Sequence, residues 1–512
     1  MKAASVRVDC SPASQLCPLR SVETFVVDRK LGWSYWRDAQ KVVLLSFVLL
    51  FSALAIAEDA TSAEPQPAQP VSAEGATTAP LAMADDATSA EPQLAQPTLV
   101  QPTSWMQRVM NQDHMTRDWG GLRPKLEKKG ISFVFFQHTD LFGAVSGGNG
   151  QGFGVWNRIR GIAVIDMGKL AHIKGLSIVA TSTWNNGTDV GFDPRYLGSL
   201  FVTEGNDTYF HQLRMDQWWV QQDLFNKKLS LQVGQFGAET YFGWMPSGLN
   251  HFMLEPLFYA PLALWNAYDK PDIHNSTMGA VATFTPNKHF YYKTGVASLT
   301  LDQANDPVHV NSTGLEPRFR DGVAWLNNFA FLYGQPNKGA DVKDYSGEFH
   351  FGFTYTGVSN KDFPVVKPGI TSDGNAGYWA NIIQPVYRVK AGSNRGLDVR
   401  AMYVWGPESK GVLPWDRQLV LSAIFNGPIP SRPKDSINFG MNSYMIRNYL
   451  NTPVRLASNL PVTSEKDWEI NYSCWATNWW NLMPTVAVIQ DLGANPRRGN
   501  GVMVGVRSFI NF

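Results

Sequence analysis

This 512-residue chain is poor in two things that a soluble exported protein of its size usually carries, cysteine and charge. Of three cysteines, Cys10 and Cys17 lie upstream of an expected cleavage site. A mature chain would keep only Cys474, which excludes an intramolecular disulfide. No cysteine spacing suits a metal, and none of the 9 histidines pairs with a Glu in the helical zinc pattern. The sequence therefore implies neither a metal nor another cofactor. Neither sign of charge is in excess, with 44 Lys and Arg against 43 Asp and Glu, which excludes a polybasic anchor and gives no sign of a nucleic-acid partner. Charged residues make up only 17 % of the chain. One continuous apolar run exists, from Val42 to Leu54. At about 13 residues it is too short to cross a bilayer as a helix.

That run follows Lys41 and is succeeded by Ala55-Ile56-Ala57, the layout of a signal peptide with an A-x-A site. Residues 1–57 then read as a signal peptide with an extended n-region, and export of the Sec type follows. Residues 58–104 are rich in Ala, Pro and Gln, and Asp59-Ala60-Thr61-Ser62-Ala63-Glu64-Pro65-Gln66 recurs at 86–93. Such a stretch buries too little apolar area to offset its ordering entropy and reads as a disordered periplasmic tether. Residues 105–130 read as a short N-terminal helical segment, ended by Gly130 as a C-cap.

From Ile131 to Phe512 the hydropathy period becomes two. Phe349, Phe351, Phe353 and Tyr355 alternate with Glu348, His350, Gly352 and Thr354. Leu397, Val399, Ala401 and Tyr403 alternate with Asp398, Arg400 and Met402; Trp468, Ile470 and Tyr472 with Glu469, Asn471 and Ser473. Leu213, Met215, Gln217 and Trp219 are expected on one face, opposite Arg214 and Asp216. The chain ends on Val502, Val504, Val506 and Ile510, alternating with Met503, Gly505 and Arg507, before the terminal Phe512. Roughly fifteen such segments, with two further ones near 258–268 and 322–333, are separated by turn signals such as Asn226-Lys227 and Ala494-Asn495-Pro496. Aromatics reach 12 %, with 18 Trp and 29 Phe. One apolar face with aromatic girdles and one polar face per strand imply an all-β fold: a transmembrane antiparallel β-barrel of about sixteen strands over 131–512. The sheet must close, because lipid offers nothing to an edge strand.

Two separated motifs resemble a known family, the carbohydrate-selective porins of the OprB type. The first is Asp118-Trp119-Gly120-Gly121-Leu122-Arg123, followed by Leu126 and Gly130-Ile131. The second is Glu469-Ile470-Asn471-Tyr472, Trp479, Pro484 and Asn495-Pro496, then Gly505-Val506-Arg507 and Phe512. Where the family tends to have Asp-x-Gln after Pro484, this chain has Thr485-Val486-Ala487. The resemblance covers about 115–512 and implies passive diffusion of small neutral sugars, such as glucose, across the outer membrane of a Gram-negative bacterium. Its expected partners are those sugars, outer-membrane lipid and the assembly machinery that reads the C-terminal strand. No catalytic residue is implied.

A pore for sugars should offer charged or amide partners to hydroxyls and an aromatic plane to the ring face. Strand parity places Arg158, Arg160, Arg214, Asp216, Glu348, Asp398, Arg400, Glu469 and Trp475 toward the lumen as candidate substrate-binding residues. Their mixed signs favour neutral solutes over phosphate. A general or anion-selective porin is the nearest alternative. A soluble β-fold that binds or hydrolyses glycans, with Glu348 and Glu469 as its carboxylates, is the other.

Overall fold

Period-two patterning becomes sixteen antiparallel strands in the computed structural model, which describes residues 112–200, 213–238, 242, 251–257, 276–299, 311–316, 322–334, 346–359, 373–390, 393–406, 415–446 and 464–512. The strands are β1 (Ile131–Ser146), β2 (Gly152–Asp166), β3 (Leu176–Gly187), β4 (Leu213–Leu224), β5 (Leu229–Phe236), β6 (Thr277–Asn287), β7 (Phe290–Ser298) and β8 (Val323–Tyr333). They continue as β9 (Gly347–Ser359), β10 (Asp373–Arg388), β11 (Gly396–Trp405), β12 (Trp415–Asn426), β13 (Ser436–Ile446), β14 (Ser464–Trp475), β15 (Trp480–Gln490) and β16 (Gly501–Asn511). Each pairs with its neighbours in sequence, and β1 closes on β16 to make a barrel. The seam runs from Phe136 opposite Asn511 to Ala144 opposite Met503. Closure leaves no edge among these strands with unpaired N–H and C=O groups.

The two faces separate by parity as the sequence leads one to expect. Val155, Leu231, Val233, Phe349, Leu421, Ile437, Phe439 and Val486 are exposed on the outside, and Ile470 keeps 53 % of its surface. Their neighbours Asp140, Arg158, Asn438, Asp467 and Glu469 are buried on the inside. Aromatics on the outer face are not confined to girdles at the strand ends. From β7 to β11 they touch from strand to strand, through Phe290–Phe331–Phe349 and Phe329–Phe351–Trp405. Cross-strand aromatic pairs stabilise a sheet whatever their height in it, so these rings also serve the wall itself.

One stretch departs from simple alternation. The β3–β4 register shifts between Thr181 and Ser182, opposite Met215 and Gln217. The extra residue flips the parity, so Gln217 and Trp219 turn to the buried face with Arg214 and Asp216, away from Leu213 and Met215. A bulge of this kind leaves no reliable mark in the hydropathy pattern.

Helix is scarce. Within the described part of the expected N-terminal helical segment, α1 (Leu122–Lys128) is the only helix. Its start is fixed by a left-handed turn in which Arg117, Trp119, Gly120 and Gly121 all have φ between 54° and 86°. Two of these positions are glycine, which alone enters that region without a Cβ penalty. The helix has Lys129 as its C-cap, and Gly130, at φ 91°, follows one residue beyond the position expected of it as a cap. A second helix, α2 (Met167–Leu170), caps the β2–β3 turn, where the Asp166 carboxylate accepts from the N–H groups of Gly168 and Lys169.

The motif around α1 locks the seam. The Arg123 guanidinium donates to the carbonyl of Phe512 at 2.8 Å and lies 4.5 Å from the Trp119 ring centroid. Trp119 in turn lies against Phe133 and Phe135 of β1. The N–H of Phe512 donates to Phe135 and that of Met115 to Asn511. The end of the last strand is thus held from two sides.

Short turns such as Phe225-Asn226-Lys227, all three at positive φ, join strands at the end that carries the first and last strand termini. Longer connections cluster at the opposite mouth. Within the expected outward loop 185–208, β3 continues to Gly187, and residues 188–200 fold over the rim, where Arg498 donates to the carbonyls of Leu197 and Gly198. The further strand expected near 322–333 is β8. The one near 258–268, the signal peptide and the tether lie outside the described residues.

Candidate functional site: the barrel lumen

A sixteen-stranded barrel is too wide for its own side chains to fill. Part of the filling here comes from the β5–β6 connection. Its residues 251–257, ending in the 3-10 turn Glu255–Leu257, pack inside against β12, β13 and β14. Phe252, Met253, Leu254 and Leu257 are wholly buried there with Val420, Ile424, Tyr444 and Met483. Gly440 of β13 makes the room, since a Cβ at that position would stand 2.5 Å from Leu257 Cδ1.

Polar side chains pin this segment by its backbone. Both oxygens of the Glu469 carboxylate accept, one from the N–H of Met253 and one from that of Leu254, each at 2.8 Å. Asn471 donates to the His251 carbonyl at 2.7 Å, and Arg507 donates to that of Phe252 at 3.0 Å. The His251 ring meets Ser436 and Asn438 through Nδ1. Charge-assisted hydrogen bonds such as those of Glu469 and Arg507 contribute about 1.5–3 kcal/mol each. Glu465, two alternations along β14, does the same for the rim by accepting from the N–H groups of Leu200 and Gly493. Glu465 and Glu469 are therefore loop anchors, whereas Asp467 between them accepts from the Asn442 side chain of β13, and the peptide segment covers Glu469 from the lumen.

Two walls remain on either side of this filling. The first is formed by β1, β2, β4 and β16. Arg507 grips Asp140 through two bonds of 2.7 and 2.6 Å, and Arg160 pairs with Asp216 at 3.0 Å across the intervening β3. Arg158 donates to Asn185 at 3.1 Å and lies over the Trp156 ring. Arg214 is buried on the same wall, against Gly314. Four guanidiniums here face two carboxylates.

The second wall, β9 to β12, lies about half a turn round the ring from β2. It carries Glu348 with His350 at 3.1 Å, and Arg388 with Asp398 at 2.6 Å. Arg400 stands one alternation from Asp398, across from Ser422 in the register of β11 with β12. Trp475 is at the end of β14 near the short turns, edge-on to Phe509 of β16. The nine residues expected from parity thus all fall on the inner face of their strands, but in separate groups. Asp140, His251, Asn381 and the anchoring role of Arg507 were not foreseen. Asp140 lay within a legible alternation, Phe136-His138-Asp140-Phe142, and Gly440 in mid-strand was a sequence sign of close approach.

A closed barrel with an apolar outside, a charged inside and a peptide segment folded into its lumen defines the porin class. The profile of the family described as "Carbohydrate-selective porin, OprB family" matches residues 161–512, and this chain belongs to that family. Porin B of Pseudomonas aeruginosa is 21 % identical over 430 residues, covering 78 % of this chain and 91 % of that protein. A putative porin, QuiX, of Acinetobacter baylyi is 22 % identical over 388 residues, covering 71 % of this chain and 80 % of that one. In three dimensions the chain is similar to OprB of Pseudomonas putida in its high-pH structure, with a TM-score of 0.69 at 18 % identity, covering 79 % of this chain and 99 % of that one. The proteins it resembles are channels rather than enzymes.

Proposed function

We propose that this chain lets small neutral sugars, monosaccharides such as glucose among them, diffuse passively across the outer membrane of a Gram-negative bacterium. The observation that supports this most is the combination of a lumen lined by opposed charges with a segment held inside it by Glu469 and Arg507. Opposed charges order water and accommodate polar uncharged solutes, while the inward segment narrows the path enough for wall contacts to matter. Membership of a carbohydrate-selective family supports the same reading. The exposed apolar belt, including Ile470 and Val486, fits lipid, and the last strand ending in Phe512 fits recognition by barrel-assembly machinery. In this reading the signal peptide delivers the chain through Sec, and the Ala/Pro segment is a periplasmic tether.

Liposome swelling tests it. Vesicles carrying the purified barrel should swell in glucose and other neutral monosaccharides faster than in amino acids of similar size. Equal rates for both solute classes would reduce the protein to a general porin.

A further inference from the structure

Both lumen walls carry buried polar atoms without partners among the described residues, Arg160 Nε and Asp216 Oδ1 on the one, so the charge that accompanies them sets the walls apart. On the wall from β9 to β12, Arg400 is only 6 % exposed, yet its Nε and Nη1 have no partner among the described residues. The Ser422 hydroxyl, opposite it in the strand register, has none either. Nor does Oδ1 of Asn381, on the intervening β10. Asn381 sits across from His350, and Glu348 beside it keeps 32 % of its side chain open on the inner face. Buried polar atoms without partners destabilise a protein unless water or a solute satisfies them. In a lumen, water does so, and a hydroxylated solute can replace it.

Charge separates this wall from its counterpart. Arg388 and Arg400 face Asp398 and Glu348, two of each sign, whereas the wall of β1, β2, β4 and β16 is richer in guanidinium. A balanced group of donors and acceptors matches hydroxyls, each of which donates one hydrogen bond and accepts others. It gives no net attraction to an anion. We propose that the β9–β12 wall is the sugar subsite of this channel, with Arg400 as its specificity-determining residue. Arg400 donates from Nε and Nη1 to solute oxygens; Asn381 and Glu348 accept solute O–H groups, and Ser422 does either. The ligand class is a neutral polyhydroxylated solute, cyclic or linear. This inference rests on the sugar-channel reading and deepens it.

The test is block of single-channel current in planar bilayers, with glucose and with glucitol as probes. Heat-modifiable migration on gels checks that each variant has formed its barrel. Arg400→Met should leave the channel conducting and weaken block by both probes about tenfold or more, since it removes two charged hydrogen bonds to solute and the loss of either alone has about that effect. Ser422→Ala, a milder change that tests the same subsite should Arg400→Met fail to assemble, should weaken block by about threefold. Unchanged block in assembled Arg400→Met, or in Ser422→Ala if only that variant assembles, overturns the subsite. A wild-type channel that conducts but ignores both sugars overturns the parent reading instead, so the two failures are distinguishable.

Discussion

Individual side chains in this barrel act mostly by holding backbone. Arg123 reaches the carbonyl of Phe512, Arg498 those of Leu197 and Gly198, and Arg507 that of Phe252. Long guanidinium forks suit this work because they donate several bonds in a fixed plane. At the turn before β13, Asp435 plays the acceptor. It takes bonds from Arg432, from the Tyr472 hydroxyl and from the Trp475 N–H. Burial pushes its carboxyl up, but these donors outweigh burial and hold it below the ordinary value of 3.8. A carboxyl depressed in the folded state adds stability above its unfolded value and loses it as pH falls through the folded one. The thermal transition of the barrel should therefore drop on acidification below pH 3.8. In Asp435→Asn that part of the pH dependence should vanish, while the transition near neutral pH falls. Melting curves taken at pH 3 and pH 7 for both proteins check this; parallel losses in the two would be against it.

Elements meet the lumen in two ways, as strands that carry polar walls and as a segment that docks between them. The segment 251–257 has little regular structure beyond one 3-10 turn, so its position depends on its anchors and on the apolar contact over Gly440. Glu469→Ala removes both acceptors for Met253 and Leu254 and leaves the strand ladder intact. The segment should then detach part of the time. Planar-bilayer recordings should show larger and noisier single-channel conductance, with little change in barrel melting. Wild-type conductance in that variant would mean that Arg507, Asn471 and the apolar contacts suffice without Glu469.

For the molecule as a whole, the orientation of the two faces is the main physical fact. Closure of β1 on β16 lets an apolar exterior exist without an unpaired seam, and a charged interior exist without contact with lipid. Arginine placed on the outside of a barrel near the bilayer midplane costs about 2–4 kcal/mol. Ile470→Arg should lower folding efficiency into lipid vesicles by a comparable free energy. Asn471→Ala, one residue on but inward, should fold nearly normally and alter conductance through the lost bond to His251. Equal folding defects from both would contradict the assignment of faces.

Fold and faces were legible in the sequence because alternation is local: Phe349 to Tyr355, or Val502 to Ile510, shows its two sides within a few residues, and pairing in chain order needs no further information. Even the inner placement of Arg158, Arg400 and Glu469 follows from parity. What those residues do was decided only in three dimensions. Glu469 became a loop anchor through partners 216 and 215 positions away, and Arg507 reached Phe252 across 255. The bulge at β3–β4 reversed Gln217 and Trp219 by one residue that alternation cannot count. Side-chain periodicity fixes which face a residue occupies; contacts between distant segments fix whether that residue meets water, a solute or another part of the chain.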